Sequence, residues 1–197
     1  MKNRRKFLQT SIYGLLSGAG LTFSKAILAR NTAVAQGIVR QPLAGATNAQ
    51  GIVRQPDEGE TYFVREHTPI TIKISKRTDG IDSASMCTEE IIPGGIIPIH
   101  KHLHTDELFY FSRGGGLFII DDKEIPVTAS STAFVPRGTW HGFRNNTSET
   151  AVFSFSYSPA GFEDYFRQIG TPQGTPFKAK LPEELKMIAE RFGMVYK

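Results

Sequence analysis

Residues 94–114 read GGIIPIHKHLHTDELFYFSRG, and this stretch decides the fold. A largely apolar run from Ile96 to Leu103 carries histidines at alternate positions, His100 and His102. Side chains two apart on a strand project from the same face, so both imidazoles point together and Lys101 points away. The polar residues up to Asp106 turn the chain back, and a second strand opens at Glu107. Its carboxylate can therefore meet the two imidazoles at one point.

Working outward, residues 136–145 read PRGTWHGFRN. The turn Pro136-Arg137-Gly138-Thr139 delivers His141 to the start of a later strand, where it closes the set. Three neutral imidazoles and one carboxylate form a site of intermediate hardness for one divalent transition metal: Mn, Fe, Co, Ni, Cu or Zn.

The spacing of these residues resembles the two motifs of the cupin superfamily. Gly94, His100, His102, Glu107 and Gly114 match G-x5-H-x-H-x3,4-E-x6-G. Pro136, Gly138, His141 and Asn145 match G-x5-P-x-G-x2-H-x3-N, with Ser130 standing where the family has its first Gly. That Gly serves a turn, so the departure bears on backbone shape and not on the metal. Only residues 115–129 separate the motifs, a spacing similar to that of compact, single-domain cupins. The resemblance implies an all-β cupin jelly roll, or double-stranded β-barrel, holding a metal inside one end on His100, His102, Glu107 and His141. One or two coordination positions would stay open, as a reactive site requires. Taking His102 and His104 as the pair would put Glu107 too early, so His104 is expected as an exposed loop residue.

The rest of the body agrees with a β fold. Short runs at Tyr62–Val64, Ile70–Ile74, Ser83–Glu89, Leu117–Ile120, Thr132–Val135 and Ala151–Tyr157 are separated by Gly, Pro, Asp and Asn turns, a rhythm that predicts a sandwich or barrel. After Ser158 the period changes. Phe162, Tyr165, Phe166 and Ile169 make one helical stripe, with Ser158 as cap and Gly170 as stop. A second helix runs from Pro182 through Leu185, Ile188, Ala189 and Phe192 to Gly193. The expected organisation is a cupin barrel over 57–157 and two C-terminal α-helices over 158–197, acting as lids.

Strand parity predicts what faces the metal. Ile96 and Pro98 share the face of His100, Phe109 and Phe111 that of Glu107, and Phe143 that of His141. Phe153, Phe155 and Tyr157 share one face of the last strand. Phe109, Phe111, Phe143, Phe153 and Phe155 are therefore the expected substrate pocket, suited to a planar apolar molecule. No basic cluster points inward, although Arg113, Arg137 and Arg144 can reach a rim. The outer face carries Ile97, Ile99, Leu103, Leu108, Tyr110 and Trp140. Strands apolar on both faces need cover on both, from the helices or from a second subunit, so a homodimer is expected.

The chain has 197 residues with a formal net charge of +4. Six of its 23 basic residues fall in 1–35, with no acid. The remainder carries 17 against 19 acids, which removes any electrostatic case for a nucleic-acid partner. Residues 1–35 run from Arg4-Arg5-Lys6-Phe7-Leu8 through a modest apolar stretch to Ala33-Val34-Ala35. This resembles a twin-arginine signal peptide, with cleavage before Gln36 and a periplasmic destination. An uncleaved anchor is disfavoured because Gln9, Ser17, Thr22, Ser24 and Lys25 interrupt the apolar run. Residues 36–56 repeat a seven-residue phrase, Gln36–Pro42 and again Gln50–Pro56, and read as a flexible tether. The single cysteine, Cys87, cannot form a disulfide within the chain.

The functional expectation is a metal-dependent dioxygenase resembling small bacterial quercetinase-like cupins. Glu107 would be both ligand and proton acceptor. The alternative is a non-catalytic exported module that holds a metal or small ligand. A cupin-type transcription regulator is excluded by the acidic body and the lack of a helix-turn-helix segment. Folding before export would favour Mn or Fe, because the tighter-binding ions are scarce in the cytoplasm.

Overall fold

The computed structural model describes residues 51–197. The expected signal peptide of 1–35 and all but residues 51–56 of the expected tether lie outside them. The elements are β1 (Glu60–Arg65), β2 (Thr68–Ile74), α1 (Lys76–Asp79), β3 (Met86–Ile91), β4 (Ile96–His102), β5 (Asp106–Arg113), β6 (Gly115–Ile120) and β7 (Lys123–Thr128). They continue as β8 (Thr132–Val135), β9 (His141–Arg144), β10 (Ala151–Ser158), α2 (Asp164–Ile169), β11 (Thr171–Pro172), α3 (Pro182–Arg191) and β12 (Met194–Tyr196).

Two antiparallel sheets face each other as a jelly roll. One has the order β11-β1-β2-β3-β10-β5-β8, the other β12-β4-β9-β6-β7. They do not join into a closed barrel. Alternation along the strands fills the space between them. Ala151, Phe153, Phe155 and Tyr157 of β10 are buried, and so are Glu107, Phe109 and Phe111 of β5. Each fully buried ring contributes about 2–3 kcal/mol.

Both motifs are tied together through backbone. Gly94 N–H donates to Asn145 O (2.9 Å), and Asn145 N–H donates to Gly95 O (3.0 Å). The Asn145 side chain, fully buried, donates to Ile91 O and Glu149 O and accepts from the Thr147 amide and hydroxyl. Gly114 has φ +65°, and a Cβ there would sit 2.6 Å from Thr150 O, so only glycine fits. Ser130 has a left-handed backbone, at φ +72°, a region that favours glycine.

Several sequence expectations are corrected. β7, β11, β12 and α1 are too short or too polar to announce themselves. The third strand runs Met86–Ile91, later than expected. α2 starts at Asp164, because Ser158 still belongs to β10 and the chain turns through Pro159–Glu163 first. A β-bulge between Ile97 and His100 slips the period, leaving Ile96 half exposed and turning Ile97 toward the core. The helices do not cover the outer sheet face. They pack over the space between the sheets, and Leu108, Tyr110 and Phe134 stay 47%, 47% and 60% exposed. Among the described residues no helix is long and apolar enough to cross a membrane.

Candidate metal centre and cavity

β4 and β9 of one sheet bring His100 and His141 opposite each other, with ring centroids 4.2 Å apart. His102 lies one alternation further along β4, and Glu107 enters from β5 of the other sheet. All four side chains are buried, and their ligand atoms lie within 4.8 Å of one another. Opposite ligands of an ion with bonds of about 2.1 Å are about 4.2 Å apart, so a small contraction suffices.

The hydrogen bonds around the cluster fit a metal. His100 Nδ1 is 2.8 Å from Pro98 O, and His141 Nδ1 is 3.1 Å from Thr139 O. A carbonyl only accepts, so each Nδ1 carries the proton and leaves the Nε2 lone pair for an ion. His141 Nε2 is 2.9 Å and His102 Nε2 3.2 Å from Glu107 Oε2. The His102 contact lacks hydrogen-bond geometry, and neither of its ring nitrogens has a partner although the side chain is 2% exposed. Buried imidazole without a partner is costly, and an ion removes that cost. The cluster thus fits one divalent metal.

The electrostatics agree. Burial, helped by His141 and His102, pushes His100 down to about 3 and keeps it neutral. Burial works to raise Glu107, but the hydrogen bond with His141 and the charge of His102 and His141 outweigh it and hold the carboxyl well below its usual range. Tyr157, the cross-strand partner of Glu107, is pushed well up by burial and then by the Glu107 charge. Phe162 stands edge-on over His102 at 4.2 Å. His104 lies exposed in the β4–β5 turn, outside the cluster, against Gly193.

The cluster borders a cavity of about 210 Å³. Phe109, Phe143 and Phe155 line it, and so does Phe118, which the sequence reading passed over. Phe111 and Phe153 do not. Their rings interlock 5.1 Å apart, deeper between the sheets, and both are buried completely. Tyr165, Phe166 and Ile169 of α2 and Leu185 of α3 complete the walls, which gives the helices their role as lids. The expected rim arginines are engaged elsewhere, Arg137 with Asp106 and Arg144 with Glu124. Arg65 and Glu89 line the cavity instead. Sequence reasoning missed both; parity with the buried Cys87 and Ile91 would have turned Glu89 inward.

Residues 87–157 match a family model described as cupin domain. An uncharacterized protein of Methanocaldococcus jannaschii is 31% identical over 78 residues, covering 39% of this chain and 62% of that protein. A Thermotoga maritima protein named oxalate-binding protein is 30% identical over 61 residues, 31% of this chain and 50% of its own length. The chain thus spans about half to three fifths of the curated relatives it matches. Among solved structures, KdgF from Halomonas sp. superposes with a TM-score of 0.51 at 15% identity, over 58% of this chain and 99% of that one. A RmlC-like cupin from Shewanella frigidimarina gives 0.50 at 16%, over 59% and 96%. Residues 87–157 thus match the cupin domain model, within a jelly-roll fold like that of these solved structures.

Proposed function

We propose that this protein is a metal-dependent dioxygenase acting, after export, on a small phenolic or similarly apolar, oxygen-bearing molecule. One observation carries the reading: in the buried cluster of three imidazoles and an ionised carboxylate, His100, His141 and Glu107 line an aromatic-walled cavity. A purely structural metal site has no use for such a space. A divalent ion held there supplies a Lewis-acid seat for a substrate oxygen and access to dioxygen chemistry.

The chain's own residues do the rest. Glu107, held ionised by His102 and His141, accepts the phenolic proton; the O–H bond breaks and its electron pair stays on the substrate oxygen. Tyr157, opposite Glu107 on β10, stays protonated beside it. The Pro98 and Thr139 carbonyls fix the rings of His100 and His141. Phe109, Phe118, Phe143 and Phe155 exclude water and hold a planar ring. A cavity of roughly 150 Å³ takes benzene, so 210 Å³ takes one substituted ring and is too small for a three-ring flavonol.

The test is oxygen uptake by the metal-loaded chain with a panel of single-ring phenols and catechols, products followed by mass. Uptake abolished by Glu107→Gln supports the reading. Absence of uptake across the panel, with Mn, Fe, Co, Ni and Cu each loaded in turn, overturns it. The second reading, an exported binder without turnover, is favoured by the likeness to a protein named for oxalate binding. It predicts ligand affinity with no oxygen consumed.

Two further parts of the proposal concern partners. Export through the twin-arginine machinery rests on Arg4-Arg5 and Ala33-Val34-Ala35; Arg4→Lys/Arg5→Lys should hold the precursor in the cytoplasm. A homodimer rests on Leu108, Tyr110 and Phe134, half-exposed on the adjacent strands β5 and β8. Phe134→Asp should shift it to monomer.

A further inference from the structure

The cavity has a second polar pole. Glu89 projects inward from β3 between Cys87 and Ile91 and is 4% exposed. Its carboxylate takes a hydrogen bond from Arg65 Nη2 at 2.6 Å. Arg65 sits at the bulge of β1, and its side chain is 39% exposed. It lines both the cavity and an adjoining, shallower cleft of about 300 Å³. The other cations of that cleft are Lys178 and Lys180. Its acid, Glu66, is exposed and lies 3.8 Å from His67.

A guanidinium carries five N–H donors in a fixed fork. Among the described residues Arg65 gives one to Glu89 and makes no other hydrogen bond. Glu89 thus anchors one arm, and the remaining donors stay free where cavity and cleft meet. A planar fork with free donors is suited to a carboxylate. At the far end an anion would face the ionised Glu107, so the two poles differ in what they accept.

Resting on the reading of this cavity as a substrate site, we propose that its substrate is a carboxylic acid of single-ring size or comparable length. The carboxylate binds Arg65 at the mouth, flanked by Lys178 and Lys180, and the opposite end of the molecule lies beside His100, Glu107 and His141. Glu89 is a positioning residue for Arg65.

The experiment is calorimetric titration of the metal-loaded full chain with 4-hydroxybenzoate and with its methyl ester, which keeps ring and phenol and loses the charge. A charge-assisted hydrogen bond corresponds to roughly tenfold or more in affinity, so the acid should bind about tenfold tighter than the ester. In Arg65→Gln that preference should fall to within about twofold, with metal content unchanged. Arg65→Gln strands the buried Glu89 carboxylate, so the neutral pair Arg65→Gln/Glu89→Gln is measured alongside; it should fold and show the same loss. Equal affinity for acid and ester in the unaltered chain overturns the proposal, as does binding of neither. A preference that survives in the double variant places the carboxylate on the metal and also overturns it. None of these readouts needs turnover. Preferential acid binding without oxygen uptake would sink the dioxygenase reading and leave the acid site standing, whereas uptake with equal affinities would do the reverse.

Discussion

Glu107 Oε2 lies 2.9 Å from His141 Nε2, and 34 residues separate them in sequence. The two belong to different sheets, Glu107 to β5 and His141 to β9. The other imidazoles, His100 and His102, share the sheet of His141. A metal on these four residues would therefore be a staple between the sheets, its ligands holding the fold as well as the ion.

Stapling makes metal content and melting temperature move together. His141→Ala should lose the ion and melt lower, and His100→Ala and His102→Ala likewise, whereas His104→Ala should keep full occupancy. Elemental analysis with thermal melts before and after chelation checks this. Full occupancy in His141→Ala would show that the ligands are misassigned.

Asn145 is a structural pin. Asn145→Ala leaves the Ile91 and Glu149 carbonyls and the Thr147 amide without their partner, at about 1–3 kcal/mol for each buried group. The expected loss is about 3 kcal/mol of stability, with the metal retained. Asn145→Asp keeps the acceptor but turns a buried carboxylate oxygen on the two carbonyls, and should cost at least as much. Denaturant melts of the two variants decide the order.

Ser130 is a non-glycine residue in the left-handed region, exposed at the turn before β8. That conformation costs an L-residue about 1 kcal/mol or more. Ser130→Gly should therefore stabilise the chain by about 1 kcal/mol, raising the melting temperature by roughly 2–4 °C. No gain would mean that the extra freedom glycine gives the unfolded chain cancels the relieved strain.

Burial pushes Glu89 from 4.5 up to about 7, against the opposing charge of Arg65. The folded chain holds this proton more tightly than the unfolded chain. Its contribution is full below about pH 4.5 and falls as pH rises toward 7, by roughly 3 kcal/mol in all. Glu89→Gln should flatten the stability profile across that window. Urea melts at half-unit pH steps measure it, and an unchanged slope in the variant would refute the assignment.

The sequence disclosed the ligands because they obey two local rules, parity along a strand and a turn before His141. Neither rule depends on how the sheets pack. The wall of the cavity was less legible for the opposite reason. Whether an inward ring lines a space or fills it depends on the distance between sheets, which parity does not contain; so Phe111 and Phe153 were grouped with Phe109, Phe143 and Phe155. Ile96 was misplaced by a bulge that no residue type announces. Arg65 and Glu89 escaped notice because a charged residue in a strand ordinarily faces water, and only the partner 24 positions away reverses that. The twist of α2 and α3 over the open side was likewise beyond periodicity, which reports a buried stripe but not what buries it.

β12 is three residues long, and it pairs with β4 so that Met194 stands opposite His102 and Tyr196 opposite His100. It is held further by the Tyr165–Tyr196 hydroxyl contact at 2.8 Å and by Lys197 N–H to Ile99 O at 3.0 Å. A short edge strand opens far more often than a core does. Peeling β12 away bares the backbone of the ligand strand while the phenylalanine core stays shut. The residence time of an ion is then a property of this strand's fraying, and the amide protons of residues 194–196 keep time for it. An ion loaded early would leave only as often as β12 lifts.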